Sequence, residues 1–105
     1  MATKTITVSS SACNPSLTQG NRSVDSVHFI QAGSNAPTSV TITAAPGSTV
    51  DPSTLFGTTT CTVDANASGT NVYAIRATAD LGNYSVDTPP SPRATQNAGT
   101  IGVTG

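Results

Sequence analysis

Apolar residues recur at every second position in several short segments of this 105-residue chain. In KTITVS, Ile6 and Val8 alternate with hydroxyl residues, and in TSVTITA, Val40 and Ile42 do the same. Successive side chains of a β-strand point to opposite faces, so this period places one apolar set in a core and one polar set in solvent. The pattern predicts strands that each bury one face.

Further segments extend the pattern along the chain. SVDSVHFIQA turns Val27 and Phe29 inward, TTCTVD turns Cys61 and Val63 inward, and NVYAIRATA forms the longest run. Shorter strands are expected at 84–87 and 100–104. Turn-forming clusters such as AGSNAP and DLGN separate these segments. About seven short strands divided by turns predict a single-domain β-sandwich over residues 1–105.

Composition supports an all-β fold. Thr, Val and Ile together supply 33 residues, while the chain has no Glu and one Lys. β-Branched side chains are stiff and pack well on a pleated surface, whereas straight-chain residues favour helices. PSTLFG is expected to form a short helical turn whose Leu55 and Phe56 close one end of the core. The proline-rich segment 88–98 is expected to run as polyproline II.

The order and spacing of the predicted strands carry a resemblance over the whole chain. YAIRATADLGNYS resembles the penultimate strand and its turn, and GTIGVTG the closing strand, of immunoglobulin-like or fibronectin-like modules found in bacterial and phage surface proteins. The resemblance implies a sandwich of that type and a surface role. A small jelly roll is the alternative architecture.

Charge limits the classes of partner. Charged residues make up 9% of the chain, the formal net charge is -1, and the four cationic residues are scattered: Lys4, Arg22, Arg76 and Arg93. A nucleic-acid binder usually shows a basic stripe, and a membrane span needs about 20 apolar residues, so neither is expected. MATKTITVSS lacks the apolar core of a signal peptide. We expect an extracellular, cell-surface or virion location, reached without a leader or after its removal.

The segment DANASGT, residues 64–70, begins like a calcium-binding loop. Calcium takes six to eight oxygen ligands, and an EF-hand loop closes with a bidentate carboxylate at position twelve. That position is Ile75, and Asp64 is the only carboxylate in the loop. Asn66 and Gly69 suit a chain reversal. The segment is therefore interpreted as a hairpin tip that binds no metal.

Histidine and aspartate do not combine into a catalytic site in this sequence. His28 is the only histidine, and Asp25 lies three residues before it in a predicted strand. Side chains three positions apart in a strand fall on opposite faces. No G-x-S-x-G motif occurs. We expect a half-buried or surface histidine, no enzymatic activity and no cofactor.

Cys13 and Cys61 are the only cysteines. In an oxidising compartment such a pair suggests one disulfide, while in a reducing compartment it would be two small buried thiols. The two are expected to lie close enough to form a disulfide, although the alternation from Ile6 and Val8 would turn Ala12 inward rather than Cys13. A bulge or bend near Ser10 is therefore required.

A glycan-binding module is the alternative function. Sugar platforms generally use flat aromatic faces, and Tyr73 is expected inside the core. Tyr84, with Asn83 and Asp80 in the adjoining turn, is the one candidate contact.

The preferred function is a structural or interaction module, working as a subunit or decoration of a virion or bacterial cell-surface assembly. The terminal segments KTITVS and GTIGVTG lack the prolines and inward charges that usually protect a strand edge. They are expected to pair with other protein subunits, either copies of this chain or a host lattice. The contacts expected to bury there are Ile6, Val8, Ile101 and Val103.

Overall fold

The fold was analysed in a computed structural model that describes residues 2–10, 12–89 and 97–105; at Asn97 it describes the backbone alone. The strands are Thr3–Val8 (β1), Cys13–Asn14 (β2), Leu17–Asn21 (β3), Ser26–Gln31 (β4), Ser39–Ala44 (β5), Thr60–Thr62 (β6), Val72–Ala74 (β7), Gly82–Asp87 (β8) and Asn97–Thr104 (β9). One helical turn, α1, spans Ser53–Phe56.

The strands form two mixed sheets, as expected for a β-sandwich. The first sheet has the order β2-β1-β4-β7, and the second has the order β3-β9-β8-β5-β6. Two pairings are parallel, β1 with β4 and β3 with β9, and the others are antiparallel. The chain first passes from the first sheet to the second between β2 and β3, and it changes sheet again before β4, β5, β7 and β8.

The period-two pattern correctly predicts the core. The inward residues of β1, β4 and β5 are almost fully buried: Ile6, Val8, Val27, Phe29, Val40 and Ile42. Cys61 and Val63, Ile75, and the β8 and β9 residues Tyr84, Val86, Ile101 and Val103 complete one apolar cluster with Leu55. The hydroxyl residues of β1 and β5 are exposed or half-buried, so alternation locates the buried face of those strands. In β4 and β8 the other face is also buried, at His28, Ser85 and Asp87.

The helical turn is confirmed. Leu55 is fully buried and Phe56 is partly buried against the core. Gly57 ends the helix with a positive φ of 85° and donates its N–H to the carbonyl of Ser53. A residue without a Cβ adopts that backbone conformation at little cost, which allows the chain to turn into β6.

The bend near Ser10 is also present. Ser9 donates its backbone N–H to the carbonyl of Ala12, and Ala12 donates its N–H to the Ser9 hydroxyl. The chain reverses there, so that Cys13 pairs with Val8 and turns inward while Ala12 stays exposed.

NVYAIRATA is shorter as a strand than predicted. β7 ends at Ala74, because the N–H of Ile75 bonds the carbonyl of Asp25 and the N–H of Arg76 bonds the carbonyl of Leu55. The chain thus leaves the sheet to cover the end of the core. The polyproline II segment predicted over 88–98 falls mainly on residues 90–96, outside the described residues, and remains a prediction.

Candidate interaction edge

The terminal strands, expected to be exposed edges, lie inside the sheets. β1 is paired on both sides by β2 and β4, and β9 by β3 and β8. The four residues expected to contact a partner are exposed by 3% or less, within the protein's own core: Ile6, Val8, Ile101 and Val103. The alternation identified buried side chains, but the chain itself buries them, so they form no docking surface in this fold.

The sheets instead end at β2 and β3 on one side and at β6 and β7 on the other. β2 and β3 both lie beside β1 and β9, which places them on one side of the sandwich. On the opposite side, the Tyr73 hydroxyl of β7 reaches the Thr62 N–H of β6. We refer to these as the β2–β3 side and the β6–β7 side.

The edge of β6 is covered by side-chain hydroxyls. Thr60 and Thr62 direct their backbone groups away from β5, since Val63 and Ile42 supply the neighbouring bonds of that ladder. The Thr58 hydroxyl accepts from the Thr60 N–H at 3.3 Å and donates to its carbonyl at 3.2 Å. The Tyr73 hydroxyl accepts from the Thr62 N–H at 2.7 Å. An added strand would have to displace these hydroxyls.

The edge of β7 is short and partly covered. Val72 and Ala74 direct their backbone groups away from β4, because Tyr73 pairs with Val27. The Val72 N–H bonds the carbonyl of Thr70 at 2.9 Å. Considering the described residues, the open groups of β7 are therefore the N–H and carbonyl of Ala74 and the carbonyl of Val72.

The outer edge of β3 has unpaired backbone N–H and carbonyl groups at two residues. In its parallel ladder with β9, the Ser16 carbonyl accepts from Thr100 and the Arg22 N–H donates to Thr104. Bonding to the neighbour alternates along such a ladder, so Leu17 and Gln19 direct both backbone groups outward. Within residues 2–10, 12–89 and 97–105, these outward groups have no partner.

The open stretch of β3 has defined ends. The N–H of Asn21 bonds the Asp25 carboxylate at 2.9 Å, and the Asn21 carbonyl accepts from Val24 and Asp25. At the other end, Pro15 has no N–H to offer. Leu17 and Gln19 are thus the whole of the open edge.

The side chains of β3 are uncharged and divide between two faces. Leu17 is 51% exposed, and Gln19 is also exposed on the outer face. Thr18 and Gly20 face inward, and the Thr18 hydroxyl oxygen is buried without a hydrogen-bond partner among the described residues. Sequence reasoning missed this strand because LTQGN contains one strongly apolar residue and lies between turn clusters.

Asp64 anchors a polar cluster with His28 and Asn71. Its carboxylate accepts from His28 Nε2 at 2.8 Å, from the Asn71 backbone N–H at 2.9 Å and from the Asn71 side chain at 2.6 Å. The Asn71 bonds, followed by the His28 bond, lower the pKa of Asp64 below its ordinary value. Gly69 packs directly on this carboxylate, where a Cβ would overlap it. The cluster closes the loop between β6 and β7.

This loop is not the hairpin tip that was predicted. β6 and β7 lie in different sheets, and the chain crosses from the second sheet to the first between Thr62 and Asp64, so residues 65–71 form a loop at the edge of the first sheet. Asp64 completes the crossing by pairing with Ile30 at the edge of the first sheet. Its carboxylate oxygens are already engaged by His28 and Asn71.

His28 and Asp25 have separate partners. His28 is 6% exposed and bonds Asp64, which lies 36 positions along the chain, whereas Asp25 bonds the Asn21 N–H. No local spacing could have predicted the His28–Asp64 pair. Among the described residues, no group of three His, Cys, Asp or Glu side chains is placed to hold a metal ion.

The expected disulfide is not formed. Cys13 and Cys61 are both free and buried. Cys13 packs against Gly99 of β9, while Cys61 lies on β6, three strands away from β9 in the second sheet. Three strand spacings amount to about 14 Å, well beyond the Cα separation of a disulfide. Burial raises the pKa of Cys13 to about 11 and that of Cys61 to about 12.

The expected glycan contact is corrected as well. Tyr84 is fully buried, and its hydroxyl donates to the Asp80 carbonyl at 2.7 Å and lies 3.2 Å from the Thr54 hydroxyl. Burial raises its pKa. Asp80 and Asn83 are exposed beside it, but the Tyr84 ring cannot stack on a sugar.

No protein-family model and no curated protein matches this chain. The described residues contain no helix that is long and apolar enough to cross a membrane.

Proposed function

We propose that the protein is a non-enzymatic interaction module that accepts a strand of another protein chain at the edge of β3. The observation that carries the proposal is the pair of open residues, Leu17 and Gln19, in a molecule whose β6 edge is covered by hydroxyls. Unpaired N–H and C=O groups in a row form a template for another strand. In strand addition, main-chain hydrogen bonds supply the affinity and side chains supply specificity.

The surface around this edge suits a subunit of a larger assembly. β3 itself carries no charge, and the whole chain has a formal net charge of -1. Little electrostatic repulsion therefore opposes close packing of copies or of a neutral partner. We place the module in a virion or a bacterial cell-surface assembly, outside the cell, with protein subunits rather than nucleic acid as its partners.

The strand order supports an immunoglobulin-like variant of the sandwich. The second sheet places the last strand, the penultimate strand and β5 side by side, and the first sheet pairs β1, β4 and β7. These sets correspond to the G-F-C and A-B-E strands of immunoglobulin domains. The parallel β1–β4 and β3–β9 pairs depart from those purely antiparallel sheets. That departure distinguishes this chain within the proposed class.

Binding of a strand can be tested with short, neutral, extended peptides. Each peptide is titrated into isotopically labelled protein, and backbone amide chemical shifts are followed. We expect the largest shifts at Leu17 and Gln19, because only their N–H groups can donate to a strand added beside β3. Shifts centred on Val72 and Ala74 would assign binding to β7 instead and contradict the proposal.

A proline substitution supplies the matched control. Gln19→Pro removes one outward N–H, and proline is tolerated where the N–H of an edge strand faces solvent, so the fold should persist. Gln19→Ala keeps the N–H. We expect peptide binding to be lost in the first variant and kept in the second. Equal binding by both variants would show that the backbone of β3 is not the docking element.

A further inference from the structure

We infer that the strand accepted by β3 is β3 of a second copy of this chain, paired antiparallel about a two-fold axis at Thr18. The inference rests on the proposed function and names the partner. In this register Leu17 of each copy faces Gln19 of the other, and the two Thr18 residues face each other. The second sheets, with five strands each, then join into one continuous sheet.

The number and spacing of the open groups select this register. Leu17 and Gln19 are two residues apart and both direct N–H and C=O outward. Pairing Leu17 with the second copy's Gln19, and the reverse, satisfies all four donors and four acceptors in two hydrogen-bonded pairs. An isologous contact of this kind uses the same patch on both subunits.

The neighbouring registers leave groups unmatched. With the axis at Leu17, Gln19 would face Pro15, which has no N–H. With the axis at Gln19, Leu17 would face Asn21, whose N–H and carbonyl are already bonded within its own chain. The axis at Thr18 is therefore the symmetric arrangement in which no open group faces an occupied one.

Thr18 supplies an independent observation. Its hydroxyl is buried without a hydrogen-bond partner among the described residues. At the two-fold axis the two Thr18 residues form a non-hydrogen-bonded pair of the ladder, in which side chains lie closest, and Thr–Thr pairs hydrogen-bond across strands. Rotation of Thr18 about χ1 brings this buried hydroxyl to the axis, where the second copy's Thr18 hydroxyl supplies the missing side-chain partner.

Side-chain chemistry agrees with a second copy as the occupant. Leu17 is half exposed, and in this register it lies over the aliphatic part of the facing Gln19. β3 carries no charge that would repel an identical strand. A partner with a charged strand would gain no ion pair here.

Cysteine cross-linking tests the register directly. Under mild oxidation, Thr18→Cys should give a disulfide-linked dimer, because facing residues of a ladder lie within the Cα range of a disulfide. Gln19→Cys alone should not cross-link, since each Gln19 faces Leu17. A mixture of Leu17→Cys and Gln19→Cys proteins should give the heterodimer. The two native thiols are buried.

Sedimentation over a concentration series measures the association itself. We expect a dimer whose affinity falls about tenfold in Thr18→Val, which loses one hydrogen bond across the axis. The monomeric form of that variant should melt higher, because it no longer buries an unpaired hydroxyl. A dimer that persists unchanged in Gln19→Pro, or cross-linking of Gln19→Cys equal to that of Thr18→Cys, would overturn the inference.

Different results would refute self-pairing of β3 and strand addition at β3. A chain that stays monomeric at millimolar concentration while peptides still shift Leu17 and Gln19 would refute self-pairing and leave strand addition intact. A monomer whose β3 amides respond to no peptide would refute both.

Discussion

On the β6–β7 side the hydroxyls of Thr58 and Tyr73 occupy outward backbone groups of β6, whereas on the β2–β3 side Leu17 and Gln19 keep theirs open. Natural sheets usually protect their edges with prolines, charges or short strands. Here β6 is protected by hydroxyl groups and β7 by its short length, whereas β3 has neither kind of protection. In a chain so rich in threonine, the absence of such a cap at β3 is consistent with an edge kept open for pairing.

The core packing also differs between the β6–β7 side and the β2–β3 side. Phe29, Phe56 and Tyr73 form an aromatic cluster on the β6–β7 side, with ring centroids 5.5 to 6.5 Å apart. On the β2–β3 side the strands approach through glycine: Gly20 packs on Ile75, and a Cβ at Gly99 would lie 2.7 Å from the Cys13 Cβ. The protected side is thus supported by large side chains, and the open side by close backbone contact.

The largest effect expected from this contrast is on stability. Phe29→Ala should lower the free energy of unfolding by about 4 kcal/mol, because it removes the fully buried ring of the aromatic cluster and leaves a cavity. Cys13→Ala, on the other side, should cost about 1 kcal/mol, since it deletes a single buried atom beside Gly99. Chemical denaturation of both variants gives the two values. Equal losses would mean that the two halves of the core contribute alike.

A second effect concerns the stability of the protein at low pH. The pKa of Asp64 is lower in the folded protein than its ordinary value, so its stabilising contribution is present above that value and is lost as the pH falls through the folded pKa. Asp64→Asn should therefore be less stable than the wild type at neutral pH. The difference should shrink below about pH 4. Denaturation measured from pH 7 down to pH 2 tests this.

Asn71→Ala is the matched control for the acid experiment. It keeps the carboxylate but removes the side chain that contributes most to the lowered pKa of Asp64. A carboxyl titration followed by NMR should then place the pKa of Asp64 closer to its ordinary value. No movement in that titration would mean that another group holds the carboxylate ionised.

The sequence was sufficient for the fold class because alternation reports burial directly. Ile6, Val8, Val40 and Ile42 were placed correctly from a period of two. What alternation cannot report is which strand lies beside which. Edge or interior position depends on long-range pairing, and for that reason β1 and β9 were mistaken for edges.

The candidate site depended on features that local patterns do not contain. β3 has only Leu17 as a strongly apolar residue, and its inward positions are Thr18 and Gly20, so its alternation is weak. Asp64 finds His28 across 36 positions. Tyr84 adjoins the turn residues Asn83 and Asp80 in the sequence, yet its ring belongs to the inward set of β8. The open edge of β3, the His28–Asp64 pair and the burial of Tyr84 all depend on how distant strands pair and cross between sheets.

The smallest effect is also the most direct test of edge protection. Tyr73→Phe keeps the ring in the aromatic cluster and removes the hydroxyl that accepts from the Thr62 N–H. We expect a loss of about 1 kcal/mol in stability and faster hydrogen exchange at the Thr62 amide. Adding Thr58→Val to this variant also frees the backbone N–H and carbonyl of Thr60. The double variant should then bind strand peptides at β6 in addition to β3. If the Thr62 amide exchanges at the wild-type rate and β6 binds no peptide, then the short length of β6 protects that edge, and the contrast between the two sides does not depend on hydroxyl groups.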